Sequence, residues 1–303
     1  MQKNKPLKVK NVALCFSGMV KNLELCYPYI KKNLLDQIGS YDIFCCAEDD
    51  SNLKKIKLLK PTKTKKIKSS EVNKIIKDEL RSLNKQNYKT SIFPESFRFN
   101  LRNVYQQLYK INQSFELLEK YMEEKNISYK YFIRIRFDFL PLDVLRLEDF
   151  KIKKNEVVVP KIKIPHPEDM FNDMFYITKD FNTFKSCSSL YQNFKETVQK
   201  KLSIKTTFSQ KLYFLFEKNY RSFFFFLFKK LNKKQRKLPR QILGLFLLFP
   251  NMFYREFKTK YRYGTEKVFF YYLKSKKIII KEKKISFVIV RDLTDGLLIF
   301  GKE

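Results

Sequence analysis

Residues 11–18 read NVALCFSG, and residues 41–47 read YDIFCCA. Each is a short, almost wholly apolar run, the pattern of a strand covered on both faces, as strands of parallel sheets are. The first stops at Ser17-Gly18, a turn signal, and the second runs into Glu48-Asp49-Asp50. Between them, residues 23–38 carry apolar side chains near helical spacing, with Gly39 as the stop. Strand, helix, strand in succession makes a βαβ unit, because two parallel strands need a crossover of this length. These two runs predict an α/β, Rossmann-like domain with a mainly parallel central sheet flanked by helices.

Working outward, residues 54–68 are lysine-rich around an apolar core at 56–59, and residues 71–83 predict a charged surface helix. Residues 100–125 carry the strongest helical signal. Leu101, Val104, Leu108, Ile111, Phe115 and Leu118 recur there at three- and four-residue steps. Residues 131–139, YFIRIRFDF, predict a strand with charges at or near its end. Short strands are predicted at 156–160 and 174–178, helices at 180–202 and 265–273, and closing strands at 278–280 and 287–290. Residues 220–261 depart from this alternation, since two aromatic, apolar patches flank a dense basic stretch. Neither patch reaches the roughly 18 apolar residues of a spanning helix. The pattern predicts amphipathic helical elements lying in a membrane interface, with Lys and Arg on lipid phosphates; a helical pair packed on the domain is the alternative. The organisation expected is a single catalytic domain over 1–303 with a basic, aromatic helical insertion at 220–261.

Composition bounds the function. The chain has 303 residues, 44% hydrophobic and 16% aromatic, enough for a large core and inconsistent with a disordered chain. Sixty-three Lys and Arg oppose 31 Asp and Glu, a net charge of +32. Such a field draws polyanions: nucleic acid, anionic lipid or nucleotide phosphates. A/T-rich codons are a second source of that charge, since Lys, Asn, Ile, Phe and Tyr abound while there are six Gly and no Trp. The five cysteines form no CxxC pair and have no His nearby, which argues against zinc and suits a reducing cytosol. Cys15, Cys45 and Cys46 lie in the strand runs and are expected to be buried. The opening residues lack the apolar stretch of a signal peptide. The location expected is cytoplasmic, peripheral on the inner face of an anionic membrane.

Four groups of residues are candidates for chemistry. Ser17, Gly18 and Lys21 follow the first strand, where ligands bind in open α/β sheets; a glycine there lets backbone N–H groups approach a phosphate, or simply makes a turn. Arg134, Arg136 and Asp138 alternate along a strand and so share one face. Three charges on a sheet face need a use or mutual pairing. Arginines suit a diphosphate, and Asp138 is a hard oxygen ligand for Mg2+ or Mn2+. The acidic stretch 166–173 holds the single histidine, His166, and ends in Asp173, which is a metal ligand, a sugar-hydroxyl acceptor or a base if it is not merely solvated. Glu266, in the first turn of the 265–273 helix, either caps that helix or serves as an acceptor-side base.

Taken together, these pieces resemble a family of bacterial and viral GT-A-type glycosyltransferases of surface polysaccharide synthesis. The matching residues are Ser17-Gly18 with Lys21, where arginine is more usual; Tyr41-Asp42-Ile43-Phe44; and Gln107 with Tyr109 on a helix. Arg134, Arg136 and Asp138, then Asp173, then Glu266 complete the pattern. Many GT-A enzymes carry Asp-x-Asp for the metal, and here Asp138 stands alone. The resemblance implies transfer of a sugar from a nucleotide-diphosphate sugar to a polysaccharide or lipid-linked glycan. Ser17, Gly18, Lys21, Arg134 and Arg136 would bind the donor. Asp138 would hold Mg2+ or Mn2+ or the donor sugar, and Asp173 or Glu266 would act on the acceptor. Two other classes compete, a basic nucleic-acid-binding protein and a non-catalytic membrane-docking protein. No motif of a nucleic-acid-binding fold supports the first, and no nucleic-acid partner is expected.

Overall fold

The computed structural model describes residues 8–86, 95–161, 171–201, 265–290 and 298–300. Its elements are, in order, β1 (Lys8–Gly18), α1 (Leu23–Asn33), β2 (Tyr41–Glu48), a 3-10 helix (Leu53–Leu59), β3 (Lys63–Ile67), α2 (Ser69–Gln86), α3 (Glu95–Lys125), β4 (Ile127–Ile135) and β5 (Phe139–Pro141). Then follow β6 (Glu156–Pro160), β7 (Phe175–Thr178), α4 (Phe181–Ser188), α5 (Leu190–Lys201), α6 (Thr265–Ser275), β8 (Ile279–Lys283), β9 (Phe287–Ile289) and β10 (Leu298–Phe300).

Among the described residues, seven strands form the central sheet in the order β3-β2-β1-β4-β7-β6-β8. The first four run parallel, as do β6 and β8, while β7 is antiparallel to both neighbours. This is the mainly parallel, Rossmann-like α/β sheet that the two apolar runs predict. A second, antiparallel sheet has the order β10-β9-β5.

The pleat divides the core in two. On one face Val12, Leu14 and Phe16 of β1 join Ile43 and Cys45 of β2 and meet Cys26 and Ile30 of α1. On the other, Ala13 and Cys15 lie under Leu108, Ile111 and Phe115 of α3. Small side chains on that face of β1 let the long helix settle close to the central strand. All five cysteines are free and buried. At the amino edge of the sheet, buried Asp42 accepts hydrogen bonds from Lys10 Nζ (2.6 Å), Tyr129 Oη (2.6 Å) and Thr62 Oγ1 (3.0 Å). That one carboxylate ties β1, β2 and β4 to the loop before β3. It belongs to the architecture, at the rim away from Gly18.

Three expectations change. The strand predicted over 131–139 is not continuous. β4 ends at Ile135, and the chain turns, with the Phe139 N–H donating to the Arg136 carbonyl at 3.3 Å, before β5 joins the second sheet. The helix predicted over 180–202 breaks at Ser189, whose N–H caps α4 at the Lys185 carbonyl. β3 stands where only a lysine-rich stretch is predicted. The 220–261 insertion and His166 lie outside the described residues. Among the described residues, no helix is long and apolar enough to cross a membrane.

Candidate functional site

The chain leaves β1 toward β2 and β3 on one side and returns to β4 on the other. β1 and β4 therefore flank the point where strand order reverses, and ligands of open α/β sheets bind at the carboxyl ends of such a pair. The register sets Cys15 opposite Arg134 and Phe16 opposite Ile135, so Ser17 sits two residues past the level of Arg134, on the same face.

Arg134 points to the α3 side of the sheet and is 1% exposed. Its Nη1 donates to the carbonyl of Asp173, and its Nη2 reaches Ser17 Oγ at 3.4 Å. Its buried Nε has no hydrogen-bond partner. Asp173, just before β7, is also buried, and its carboxylate accepts from Gln107 Nε2 of α3. Four separate parts of the fold (β1, α3, β4 and the approach to β7) thus bring Ser17, Gln107, Arg134 and Asp173 together. Burial pushes the Arg134 guanidinium down to about 10, against the pull of Asp173, which leaves it cationic at neutral pH. Burial also raises the Asp173 carboxyl above the usual carboxylate range, although Arg134, Arg136 and Gln107 all pull it down. A carboxyl held in that way can hold or take a proton nearer neutrality than a solvated one.

Arg136 and Asp138 stand beside this cluster, arranged differently from the expectation. They are not on one face of a strand with Arg134, because β4 has ended. The Arg136 N–H still donates to the Met174 carbonyl at 3.1 Å, and the following turn folds Asp138 back onto its neighbour. Arg136 Nε and Nη2 grip the two Asp138 oxygens at 2.7 and 2.6 Å, a bidentate pair. The pair is part-exposed, at 24% and 15%. The Asp138 carbonyl accepts from the Val290 N–H at 2.9 Å, and the Val290 carbonyl accepts from Asn22 at 2.7 Å. The entry to α1 and the second sheet therefore close on the same rim.

Gly18 ends β1 with φ +132, a conformation that side-chain-bearing residues rarely adopt, and a Cβ built there meets nothing within 4 Å. Backbone is thus laid open at the strand end beside Ser17. Lys21 is exposed on the turn into α1, its carbonyl accepting from Lys55 Nζ at 3.1 Å. Glu266 lies in the first turn of α6, with its side chain outside the description. Tyr109 turns to Tyr191, ring centroids 5.2 Å apart, rather than joining Gln107 at Asp173.

A second polar group lies at the carboxyl end of β2. Glu48 accepts from buried Lys110 of α3 and from Ser69 Oγ at 3.1 Å, while Lys65 of β3 donates to Gln113. Gln113 and Asn112 in turn donate to Glu116 at 2.8 and 2.6 Å. Its sequence signal is the run Lys110, Asn112, Gln113, Ser114 inside the helix with the strongest apolar repeat.

As the side chains stand, Asp138 is not open to a divalent ion. Asp138 is the expected ligand, and both its oxygens are taken by a guanidinium. Among the described residues, no three His, Cys, Asp or Glu side chains gather as a ligand group. The site can hold an anion against two arginines and exchange a proton at Asp173.

A comparison with curated proteins finds no match. Among solved structures, the chain is similar to the apo-form glycosyltransferase GlyE of Streptococcus pneumoniae TIGR4, with a TM-score of 0.32 and 10% identity over 69% of this chain. It spans 43% of the length of GlyE. It is also similar to mouse xyloside xylosyltransferase 1 in its apo form, with a TM-score of 0.34 and 12% identity over 63% of this chain and 75% of that one. Residues 7–223 match the family described as Domain of unknown function (DUF7796), and the chain belongs to that family.

Proposed function

We propose that this protein is a glycosyltransferase that moves a sugar from a nucleotide-diphosphate donor to a hydroxyl of a polysaccharide or lipid-linked glycan, working on the cytoplasmic side of an anionic membrane. The observation that carries the reading is Arg134. It is a buried cation at the strand-order switch, it has a spare N–H, and a second arginine and a carboxyl whose proton affinity is raised by burial stand beside it.

In this reading the exposed backbone at Gly18, with Ser17 and Lys21, receives the donor phosphates. The acceptor oxygen attacks the anomeric carbon as its proton passes to a carboxylate, Asp173 or Glu266. The bond from that carbon to the phosphate oxygen breaks, and the nucleoside diphosphate departs with the electron pair. Its negative charge grows as the bond breaks, and in this reading Arg134, held in place, and Arg136, exchanged from Asp138, would meet it. Asp138, once Arg136 turns to phosphate, is freed to accept from a donor hydroxyl.

The test is calorimetric titration with UDP-, GDP- and CMP-sugars, with and without Mn2+, alongside donor hydrolysis by the wild type and by Asp138→Ala. Saturable binding of a UDP- or GDP-sugar that persists without Mn2+ is expected, with hydrolysis impaired in the variant, and binding of CMP-sugars alone would overturn the diphosphate donor. Binding of none would sink the transferase reading, and full hydrolysis by Asp138→Ala would remove Asp138 from the reaction.

A further inference from the structure

Residues 53–68 carry lysines at 54, 55, 57, 60, 63, 65, 66 and 68 and no carboxylate. The fold sets this stretch at one border of the molecule, as the 3-10 helix and then β3, the edge strand of the central sheet. Two of the lysines are used internally. Lys55 pairs with Glu24 of α1 at 2.9 Å, and Lys65 turns to Gln113. Lys54, Lys57 and Lys66 are exposed, and none is paired with a carboxylate among the described residues. Register assigns Lys66 a side: it lies opposite Ala47, whose side chain belongs to the α1 half of the core. The 3-10 helix buries Ile56 and Leu59 in that same half, so all three lysines belong to the α1 side of the sheet.

Large apolar side chains are exposed on that same side. Leu25 and Tyr29 of α1, one helical turn apart, are 49% and 46% exposed, and Leu58 of the 3-10 helix is 37% exposed. In a 3-10 helix positions three apart eclipse, so Leu58 follows Lys55 along the ridge that touches α1. Lysines interleaved with aliphatic and aromatic side chains match an interface that is anionic outside and hydrocarbon just below. A nucleic acid would use the charge and leave the aliphatic groups in water.

We propose that this face, made by α1, the 3-10 helix and β3, docks on an anionic lipid bilayer, with Leu25, Tyr29 and Leu58 entering the headgroup boundary and Lys54, Lys57 and Lys66 on lipid phosphates. The assignment rests on the membrane-surface reading above and adds to it the contacting residues. It lies beside the turn that carries Lys21, so docking would present the Gly18 rim close to a lipid-linked acceptor.

The experiment is co-sedimentation of the full chain with vesicles of mixed phosphatidylglycerol and phosphatidylcholine, and with vesicles of phosphatidylcholine alone. The variant Lys54→Gln/Lys57→Gln/Lys66→Gln is compared with Lys120→Gln/Lys125→Gln/Lys130→Gln, which removes three exposed charges from α3 and β4, elements outside this face. A lysine near an anionic surface is worth about fivefold in partitioning, so the first variant should lose roughly a hundredfold and the second a few-fold at most. Equal losses in the two variants, or no loss in the first, overturn this face while leaving membrane binding through another segment intact. No preference of the wild type for anionic vesicles, or tighter retention by RNA than by vesicles, overturns both the face and the membrane location. Donor hydrolysis, read in solution without vesicles, is expected to be unchanged in both variants and reports on the transferase reading separately.

Discussion

Replacing Arg134 by methionine separates a ligand-binding arginine from a structural strut. The guanidinium is 1% exposed, and one of its N–H groups has no partner. An unmade bond of this kind costs the folded state about 1–3 kcal/mol, and burying the charge itself adds to that. On the other side, Arg134→Met surrenders a charge-assisted bond to the Asp173 carbonyl, worth about 1.5–3 kcal/mol, and a long one to Ser17. The terms nearly cancel, and the expected change in unfolding free energy near neutral pH is within about 2 kcal/mol. Donor affinity has no such compensation. Losing one charge-assisted bond to a phosphate should weaken nucleotide-sugar binding by roughly ten- to a hundredfold. A pH signature accompanies this. Asp173 has a folded-state affinity for its proton above that of the unfolded chain, so its burial costs nothing below the ordinary carboxylate range and its full amount above its raised value. Arg134 holds that value down, and without it the window of declining stability extends to higher pH. Urea unfolding at several pH values and calorimetric titration with the preferred nucleotide sugar measure both effects. A loss of more than about 4 kcal/mol with affinity unchanged would refute the reasoning and leave Arg134 as a strut.

Gln107→Leu removes the side-chain donor to the Asp173 carboxylate. If Asp173 is the base, the acidic limb of the rate profile shifts to higher pH, and an unmoved limb removes it from that role. Asp42→Ala should cost about 3 kcal/mol by stranding Lys10 and Tyr129, with donor affinity preserved. Burial raises the Asp42 carboxyl, but Lys10, Tyr129 and Thr62 outweigh it and hold it below its usual range. The contribution of Asp42 is therefore present above the ordinary carboxylate pKa and fades as pH falls through its folded value, so the gap in urea melts should narrow only in acid. Phe139→Ala empties a ring stacked on Phe175 and Phe287 at 4.9 Å each, and a loss of about 3–5 kcal/mol in thermal or urea melts is expected. Gly18→Ala meets no atom, so any cost, about 1–3 kcal/mol, is backbone strain at φ +132, and a neutral result in melts would show that the loop relaxes.

The legible parts of this fold are those where burial is written in one short window. β1 and β2 are covered on both faces, and the bare apolar runs NVALCF and YDIFCCA report that directly. α3 shows itself by its period because one stripe of it lies on the sheet. β3 does not, because an edge strand with only Ile67 buried has no apolar run, and its sequence KTKKI keeps charge where pairing ends. Strand direction is not written locally either. FYIT of β7 reads like any buried strand, and only its partners β4 and β6 reveal that it runs backward.

The site divides along the same line. Ser17 and Gly18 can be placed at a strand end from the punctuation of the sequence, and Asp173 ahead of β7 likewise. What joins them is a register, Cys15 beside Arg134, and a contact across 39 positions between Arg134 and the Asp173 backbone. Neither leaves a local trace. The period-two rule that sets Arg134, Arg136 and Asp138 on one face holds only while the strand lasts. At Ile135 it stops, and the same three residues separate into a buried cation turned toward Asp173 and a closed ion pair at the rim. On the proposed reading, that separation suits a site that receives a diphosphate. A guanidinium already neutralised by its neighbour would be exchanged onto an incoming anion, releasing the carboxylate, whereas a buried one with a spare N–H would hold its place whether or not the anion is there.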